Sequence, residues 1–542
     1  MKLVTVSEMR KIELEADKKG LTFSTMMENA GSGLADEIEL LAHIENDERQ
    51  VLGLVGAGNN GGDTLIALTH LAASGWRVRA YVISEVKKHN ELYDRLRIEG
   101  GEIMFAGNDP RFDMLIAFLN SADVVVDGVL GTGFHPPLEK SIAEILMTVN
   151  NTISDLPWPP YVVAVDCPSG LDCDTGVASD AVIPASLTVC MGAVKLGLVK
   201  LPANDLIGEL RVVDIGLQDS IESWASIQHY VVDQEMVKDI LPVRAADSHK
   251  GTFGTALVIA GSINYVGAPF LAGKAAYKSG AGLVQLAVPG PVQIAVAGRI
   301  PEAIWVLLPQ EMGVISENAA EVVAEYFDRA RAVLIGPGMG TEETTRSFIE
   351  LLLKDKGVGK RNSTHIGFTH FEPETKTEKN TELPPFVVDA DGLRLLSRIK
   401  NWEKLLPENS ILTPHPGEMS ELTGLSISEI QEDRQNLAAK YASTWGHVVV
   451  LKGAFTVIAD PAGRTAIIPV ASSALAHAGT GDVLAGIIVG LRAQGMDAYE
   501  AALAGAWIHA QAGLYSAEKV GCEASVMASD VIDAIAEIIG TI

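Results

Sequence analysis

Basic residues are scarce. Against 69 Asp and Glu the chain has only 42 Lys and Arg, a formal net charge of −27 over 542 residues. That balance argues against nucleic acid or an anionic membrane surface as a main partner. Phosphorylated small molecules stay open, because backbone amides and single lysines bind them locally. Cysteine is scarcer still, with only Cys167, Cys173, Cys190 and Cys522, and none shows a paired metal-ligand spacing. Cys167 and Cys173 flank a Pro-Ser-Gly turn without a second pair, so zinc is not indicated and a reduced, cytoplasmic setting is expected. No stretch approaches the roughly 18 apolar residues that span a bilayer. Met1 to Asp17 mixes charges and has no apolar signal core.

Apolar residues, by contrast, make up 47% of the chain. This suits a soluble globular protein, and the length predicts two or three domains. Short apolar runs ending in Gly or Asp alternate with helical patterns, as in α/β folds with buried parallel strands. In the first half Val51–Val55, Arg77–Ile83, Val124–Val126 and Tyr161–Val165 read as strands, Asp63–Ser74 and Ser141–Val149 as helices. The layout predicts a Rossmann-like three-layer domain. The alternation fades between Leu217 and Lys250. It resumes with Thr255–Ala260, Gly282–Val288, Ala332–Ile335, Phe386–Val388 and Val448–Leu451. The expected division is a domain over 1–217, a linker over 218–227 and a second α/β domain over 228–542. A polar surface insertion is expected at about 360–385.

The first half carries its motifs at strand ends. Val51–Val55 runs into Gly56-Ala-Gly58-Asn59-Asn60-Gly61-Gly62-Asp63 and then a helix. This contains Gly-x-Gly-x-x-Gly, and Glu85 ends the next strand where a ribose-binding acid would lie, as in dinucleotide sites. Asn-Asn-Gly-Gly-Asp adds oxygen ligands that a plain phosphate turn does not need, although as helix caps those residues would be ordinary. Asp127 leads into Gly131-Thr132-Gly133-Phe134-His135-Pro136-Pro137, and Asp166-Cys-Pro-Ser169-Gly-Leu-Asp172 repeats the arrangement. Ligands bind at the carboxyl edge of open α/β sheets, so three acid-bearing strand ends point to one site.

Together these motifs, with Met191-Gly-Ala-Val-Lys-Leu-Gly197, resemble the NAD(P)H-hydrate epimerase domain over about residues 1–217. The resemblance implies that Asn59, Asn60, Gly61, Gly62, Asp63 and the loop Gly131 to Pro137 contact the hydrated dinucleotide. It implies a potassium site at Asn60, Asp127 and Ser169, and places Asp166 beside the hydrated nicotinamide as a proton-handling or orienting group. The chain departs from the family at Thr64, where Gly is usual and a side chain could crowd the ligand or be absorbed by the helix start. His135-Pro136-Pro137 is also less usual.

In the second half Ala471 to Gly486 stands out, a small-residue run into Gly479-Thr480-Gly481-Asp482 and an apolar helical stretch. Bare amides at a helix start bind a phosphate oxyanion, and the following Asp can accept a proton from a hydroxyl attacking that phosphate. A Gly-rich turn capping a core helix is the plainer alternative. Small-residue turns also follow the strands at Gly261 to Pro269 and Gly336 to Gly340. Carboxylates, a histidine and a cation close others, at Asp389 and Asp391, His415 and Glu418, and Lys452-Gly453-Ala454-Phe455-Thr456.

This ordered set resembles the ADP- or ATP-dependent NAD(P)H-hydrate dehydratases of the ribokinase-like superfamily, over about residues 228–542. The resemblance implies that Ala268, Gly338 and His415 line the hydrate site. It implies that Lys452 to Thr456 and Gly481 hold the nucleotide, and that Asp482 abuts the reacting hydroxyl. It further implies Mg2+, ADP rather than ATP as phosphoryl donor, and a homo-oligomer. The expected activity is metabolite repair: epimerisation of hydrated NADH and NADPH, then dehydration of the S epimer through phosphorylation. Two readings compete, a vitamin-type or small-alcohol kinase with a stable product, and a first half kept only to sense ligand or act as a scaffold.

Overall fold

The apolar runs form parallel strands in a computed structural model that describes residues 1–41, 49–84, 86–354 and 383–542. Glu85 and nearly all of the polar stretch expected at 360–385 lie outside the described residues. Two compact units emerge, Met1–Val231 and Val232–Ile542.

In the first unit, helices α1 (Val6–Lys18) and α2 (Phe23–Glu39) precede β1 (Gln50–Val55), α3 (Asn59–Ala73), β2 (Arg77–Val82) and β3 (Glu102–Phe105). Then come β4 (Val124–Gly128), α4 (Lys140–Asp155), β5 (Tyr161–Val165), β6 (Leu187–Met191) and β7 (Glu209–Val213). The parallel sheet runs β3-β2-β1-β4-β5-β6-β7. Side chains alternate between its faces. Val51, Val55, Val124 and Val126 pack into one apolar cluster, while Leu52, Leu54 and Val125 pack into another. The chain leaves β1 for one edge and returns to β4 on the other side, paired from Val51↔Val124 to Val55↔Gly128. That reversal opens a crevice beyond the ends of β1 and β4.

The core reading of the strands matches these bounds, with two shifts at the crevice. Strand β4 extends to Gly128, so Asp127 lies within it. Helix α3 starts at Asn59, four residues earlier than its apolar period indicates. The cause is close backbone packing: a Cβ on Gly61 would stand 2.1 Å from Gly56 O, and one on Gly56 would stand 1.8 Å from Val129 O.

In the second unit the order is β8 (Thr255–Ile259), α5 (Ala268–Lys278), β9 (Leu283–Pro289), β10 (Ile304–Leu308), β11 (Ala332–Ile335), β12 (Phe386–Val388) and β13 (Ile411–Leu412). There follow α6 (Pro416–Thr423), α7 (Arg434–Trp445), β14 (Val448–Leu451), β15 (Val457–Ala459), β16 (Thr465–Ile467), α8 (Thr480–Ala493) and α9 (Ala498–Val520). These strands are ordered β16-β15-β14-β13-β12-β11-β8-β9-β10. Those from β14 to β10 are parallel, and β14, β15 and β16 are antiparallel neighbours. The reversal here falls between β8 and β11. No helix among the described residues is long and apolar enough to cross a membrane.

Candidate active sites

The crevice of the first unit holds a cavity of about 700 Å³, lined by Asn59, Asn60, Asp63, Asp166 and the loop residues Gly131 to His135 and Pro137. Gly61, Gly62 and Pro136 are not on its lining. The two glycines serve packing instead, Gly61 against the Gly56 backbone and Gly62 beside Met27. Thr64 does not crowd the cavity, because its buried hydroxyl donates to Asn60 O at 2.7 Å within α3. His135 Nδ1 lies 2.7 Å from Asp172 Oδ2, which ties the loop to the turn after β5.

Asp166 ends β5 with φ of +66°, a left-handed conformation that side chains seldom adopt. The strain is held by bonds on Oδ1, which accepts from Met191 N at 2.9 Å and from the Lys195 ammonium. Lys195 is 1% exposed and also donates to Met191 O at 3.0 Å. Burial works against its charge, but the Asp166 carboxylate outweighs that and holds the ammonium above its ordinary range. Burial, then Asp166 and Glu13, push the Asp63 carboxyl well above the usual carboxylate range. Glu13 of α1 is raised too, by burial first. The cavity floor thus combines carboxyls raised by burial with a buried ion pair. Glu13 and Arg10 of the lining, and Lys195 buried behind Asp166, carry no motif that marks them as site residues in the sequence. Lys195 shows only as a lone cation in an apolar Gly-rich run, whereas Glu13 and Arg10 look like any charges on an amphipathic helix.

Asp127 and Ser169 lie under the lining, both 0% exposed. Ser169 donates to Asp127 through both its hydroxyl and its amide. Asn60 Nδ2 donates to the carbonyls of Val165 and Leu130, and Ser169 Oγ also reaches Leu130 O. Burial raises the Asp127 carboxyl against those bonds from Ser169. The Asn60 amide, the Ser169 hydroxyl, two backbone carbonyls and the buried Asp127 carboxylate offer oxygen donors of the kind that fits a hard monovalent cation.

In the second unit, Gly261, Gly338, Asp389, Thr413 and Lys452 all follow carboxyl ends of parallel strands. Gly338 has φ of +60°, and a Cβ there would meet Ala268 Cβ at 2.9 Å and Tyr265 Cβ at 2.6 Å. These two predicted site residues are therefore neighbours. Asp389 is 1% exposed; it accepts from Thr413 Oγ1 at 2.7 Å and from Lys452 Nζ at 2.6 Å. Lys452 also lies 3.6 Å from Glu418. Its ammonium would be 3.6 Å from a Cβ on Gly481, so it sits at the start of α8 among carboxylates rather than out in solvent. Burial opposes its charge, but Asp389 and Glu418 raise it.

Burial and then Asp389 push the Asp482 carboxyl up to about 7, against the pull of Lys452. Its amide and that of Gly481 belong to the first turn of α8, where no intrahelical carbonyl accepts them. His415 caps α6: Nδ1 accepts from Gly417 N at 2.9 Å and Glu418 N at 3.2 Å, so the ring presents Nε2–H. Burial and then Lys452 lower its pKa. Arg434 of α7, unread from sequence, donates to the carbonyls of Leu451 and Lys452 and faces Gly453, whose φ is +145°. It pins the start of the Lys452 to Thr456 loop, where Thr456 Oγ1 donates to Gly453 O at 2.9 Å and Ala454 is exposed. Phe455 has φ of +54°.

The chain is 34% identical to the bifunctional NAD(P)H-hydrate repair enzyme Nnr of Moorella thermoacetica, over 98% of this chain and 96% of that one. It belongs to the bifunctional NAD(P)H-hydrate repair enzyme family. The Escherichia coli member is 31% identical over 98% of this chain and 93% of its own. The family model for NAD(P)H-hydrate dehydratase matches residues 256–359 and 369–537. That for the YjeF-related protein N-terminus matches residues 24–197. A crystal structure of the ADP/ATP-dependent NAD(P)H-hydrate dehydratase from Bacillus subtilis, co-crystallised with ATP/Mg2+, is 28% identical with a TM-score of 0.47. It covers 58% of this chain and 98% of that chain.

Proposed function

We propose that the chain repairs hydrated NADH and NADPH in two steps, the first unit interconverting the epimers and the second dehydrating the S epimer. The observation that carries this is Asp482, a carboxyl raised to about 7 at a helix start beside Lys452. Water added across the dihydronicotinamide leaves a hydroxyl that departs poorly. Asp482 takes the proton of that hydroxyl as it attacks the terminal phosphoryl of a nucleotide, and the Gly481 and Asp482 amides meet the developing charge. Phosphate then leaves and the reduced nicotinamide is restored. ADP, giving AMP and phosphate, is the donor we favour over ATP, in line with the resemblance to fused microbial enzymes.

Among the described residues no cluster of three His, Cys, Asp or Glu forms a protein metal cage. One ammonium faces Asp389, Glu418 and Asp482, which leaves a surplus of negative charge where phosphates would enter. Mg2+ fits as an ion carried on the nucleotide, opposite Asp389 and Glu418, where it would neutralise phosphate charge. In the first unit K+ would be held by Asn60, Asp127 and Ser169 and would supply a fixed positive charge under the cavity. Epimerisation needs a proton given to the departing hydroxyl and one withdrawn from the water that returns on the other face. Asp166, steadied by Lys195, is the proposed base, and Asp63, whose carboxyl burial raises, the proposed acid. A cytoplasmic location accords with such a role.

The test is recovery of reduced-nicotinamide absorbance from a mixed-epimer hydrate with Mg2+ and either ADP or ATP. Full recovery is expected with ADP. It should stop at the S fraction in Asp166→Ala and vanish in Asp482→Ala. No recovery with either nucleotide overturns the reading and points to a kinase of small alcohols.

A further inference from the structure

Helix α1 lies outside the matched N-terminal segment, which begins at residue 24, yet it walls two cavities of the first unit. The second, of about 580 Å³, runs along α1 past Arg10, Lys11, Leu14 and Lys18. Arg10 and His135 line both cavities, so the two meet at those side chains. The Arg10 guanidinium there approaches the Gly131 to Gly133 loop, with Nη2 3.8 Å from a Cβ placed on Gly133.

Charge makes this groove unusual in so acidic a chain. Arg10, Lys11 and Lys18 are exposed; Arg10 interacts with Glu13, while Lys11 and Lys18 form no salt bridge among the described residues. The carboxylates that share the groove are occupied. Asp174 accepts from Val6 N at 2.8 Å at the start of α1. Glu15 pairs with Lys19 and accepts from the amides of Glu222 and Ser223. Lys11 and Lys18 are seven residues apart and share a helix face, and Lys18 lies about 12 Å along the axis beyond Arg10. Between them Leu14 is 52% exposed and offers an apolar surface.

Resting on the epimerase reading above, we propose that this groove seats the adenosine half of the dinucleotide and that Lys11 and Lys18 bind its 2′-phosphate. The hydrated nicotinamide occupies the floor at Asp166 and Lys195. Arg10, at the junction of the cavities, meets the pyrophosphate that both dinucleotides carry. Adenine lies on Leu14. The two cations that flank it find an anionic partner only in the phosphorylated form, so the first unit prefers hydrated NADPH to hydrated NADH.

The experiment uses the full chain and its Lys11→Ala/Lys18→Ala and Lys11→Arg/Lys18→Arg variants. Epimer interconversion is followed separately on hydrated NADPH and hydrated NADH, and NADP+ and NAD+ binding is measured by calorimetry. The alanine pair should raise KM for hydrated NADPH about tenfold, the scale of one charge-assisted contact. Its KM for hydrated NADH should change less than about twofold, with kcat unaltered on both, and the arginine pair should restore the preference. NADP+ binding should weaken in parallel while NAD+ binding does not. Equal losses on both dinucleotides would assign the lysines to the pyrophosphate and overturn the proposal, as would no loss on either. If the unaltered chain interconverts neither hydrate, the epimerase reading fails. Even then, an NADP+ preference that the alanine pair abolishes would uphold the groove.

Discussion

With its carboxyl raised to about 7, Asp482 changes ionisation inside the range where the reaction can be assayed. As the proposed base Asp482 must be ionised, so kcat/KM for dehydration of the S epimer should rise through pH 7 and level off above it. Asp482→Asn should abolish that inflection and cut the rate by about 10²–10⁴, the usual worth of a positioned base. The same shift has a cost in stability. The folded value lies above the unfolded one, so the stabilisation of neutral Asp482 is complete below pH 4 and is lost as pH rises through 7. Asp482→Asn should therefore raise the melting temperature of the second unit at pH 8 and leave it unchanged at pH 4. Lys195 presents the opposite case, a charge stabilised by its partner. Lys195→Ala strands Asp166 in the interior and should destabilise the first unit by about 3–5 kcal/mol in chemical denaturation. Dehydration of pure S epimer should persist in that variant, provided the assay stays below its unfolding midpoint.

Helix α3 shows how an element serves a site through its least helix-forming residues. Asn59, Asn60, Gly61 and Gly62 have poor propensity, yet they form its first turn because Gly56 and Gly61 bring two backbones together. Gly61→Ala should force the turn apart and lower stability by about 1–3 kcal/mol, the range for overpacking, and should raise the KM for epimerisation with it. A thermal shift within error of the unaltered chain would refute the packing account. The same geometry explains what could be read without a structure. Strands such as β1, β8 and β11 were legible because they are buried on both faces and so continuously apolar. Strands β6 and β7 were not read, since Thr188, Glu209 and Arg211 interrupt their runs. Helix α3 was placed too late because its opening turn owes nothing to apolar periodicity. The acid-bearing strand ends are legible as neighbours, since topology gathers them at one edge. Glu13, Arg10 and Arg434 were not, because a charge facing a cavity and a charge facing water leave the same mark on an amphipathic helix.

At the scale of the whole molecule, every residue of the first cavity comes from Met1–Val231, and every residue gathered around Asp482 comes from Val232–Ile542. The described residues of each candidate site belong to one unit, so on the proposed reading the two reactions share only a diffusible epimer. This makes the coupling testable with chains that each lack one activity. Asp166→Ala retains the dehydrating site and should stop when the S epimer is exhausted. Asp482→Asn retains the epimerising site and should restore absorbance about 10²–10⁴ times more slowly. Mixed together, the two should bring a mixed-epimer hydrate to full recovery, at a rate that rises with the amount of either chain and exceeds uncatalysed interconversion. A mixture that halts at the S fraction would mean that the epimer passes between sites of one chain without release. Fusion would then act by transfer, whereas recovery in the mixture leaves it the simpler role of keeping two cooperating activities at equal abundance.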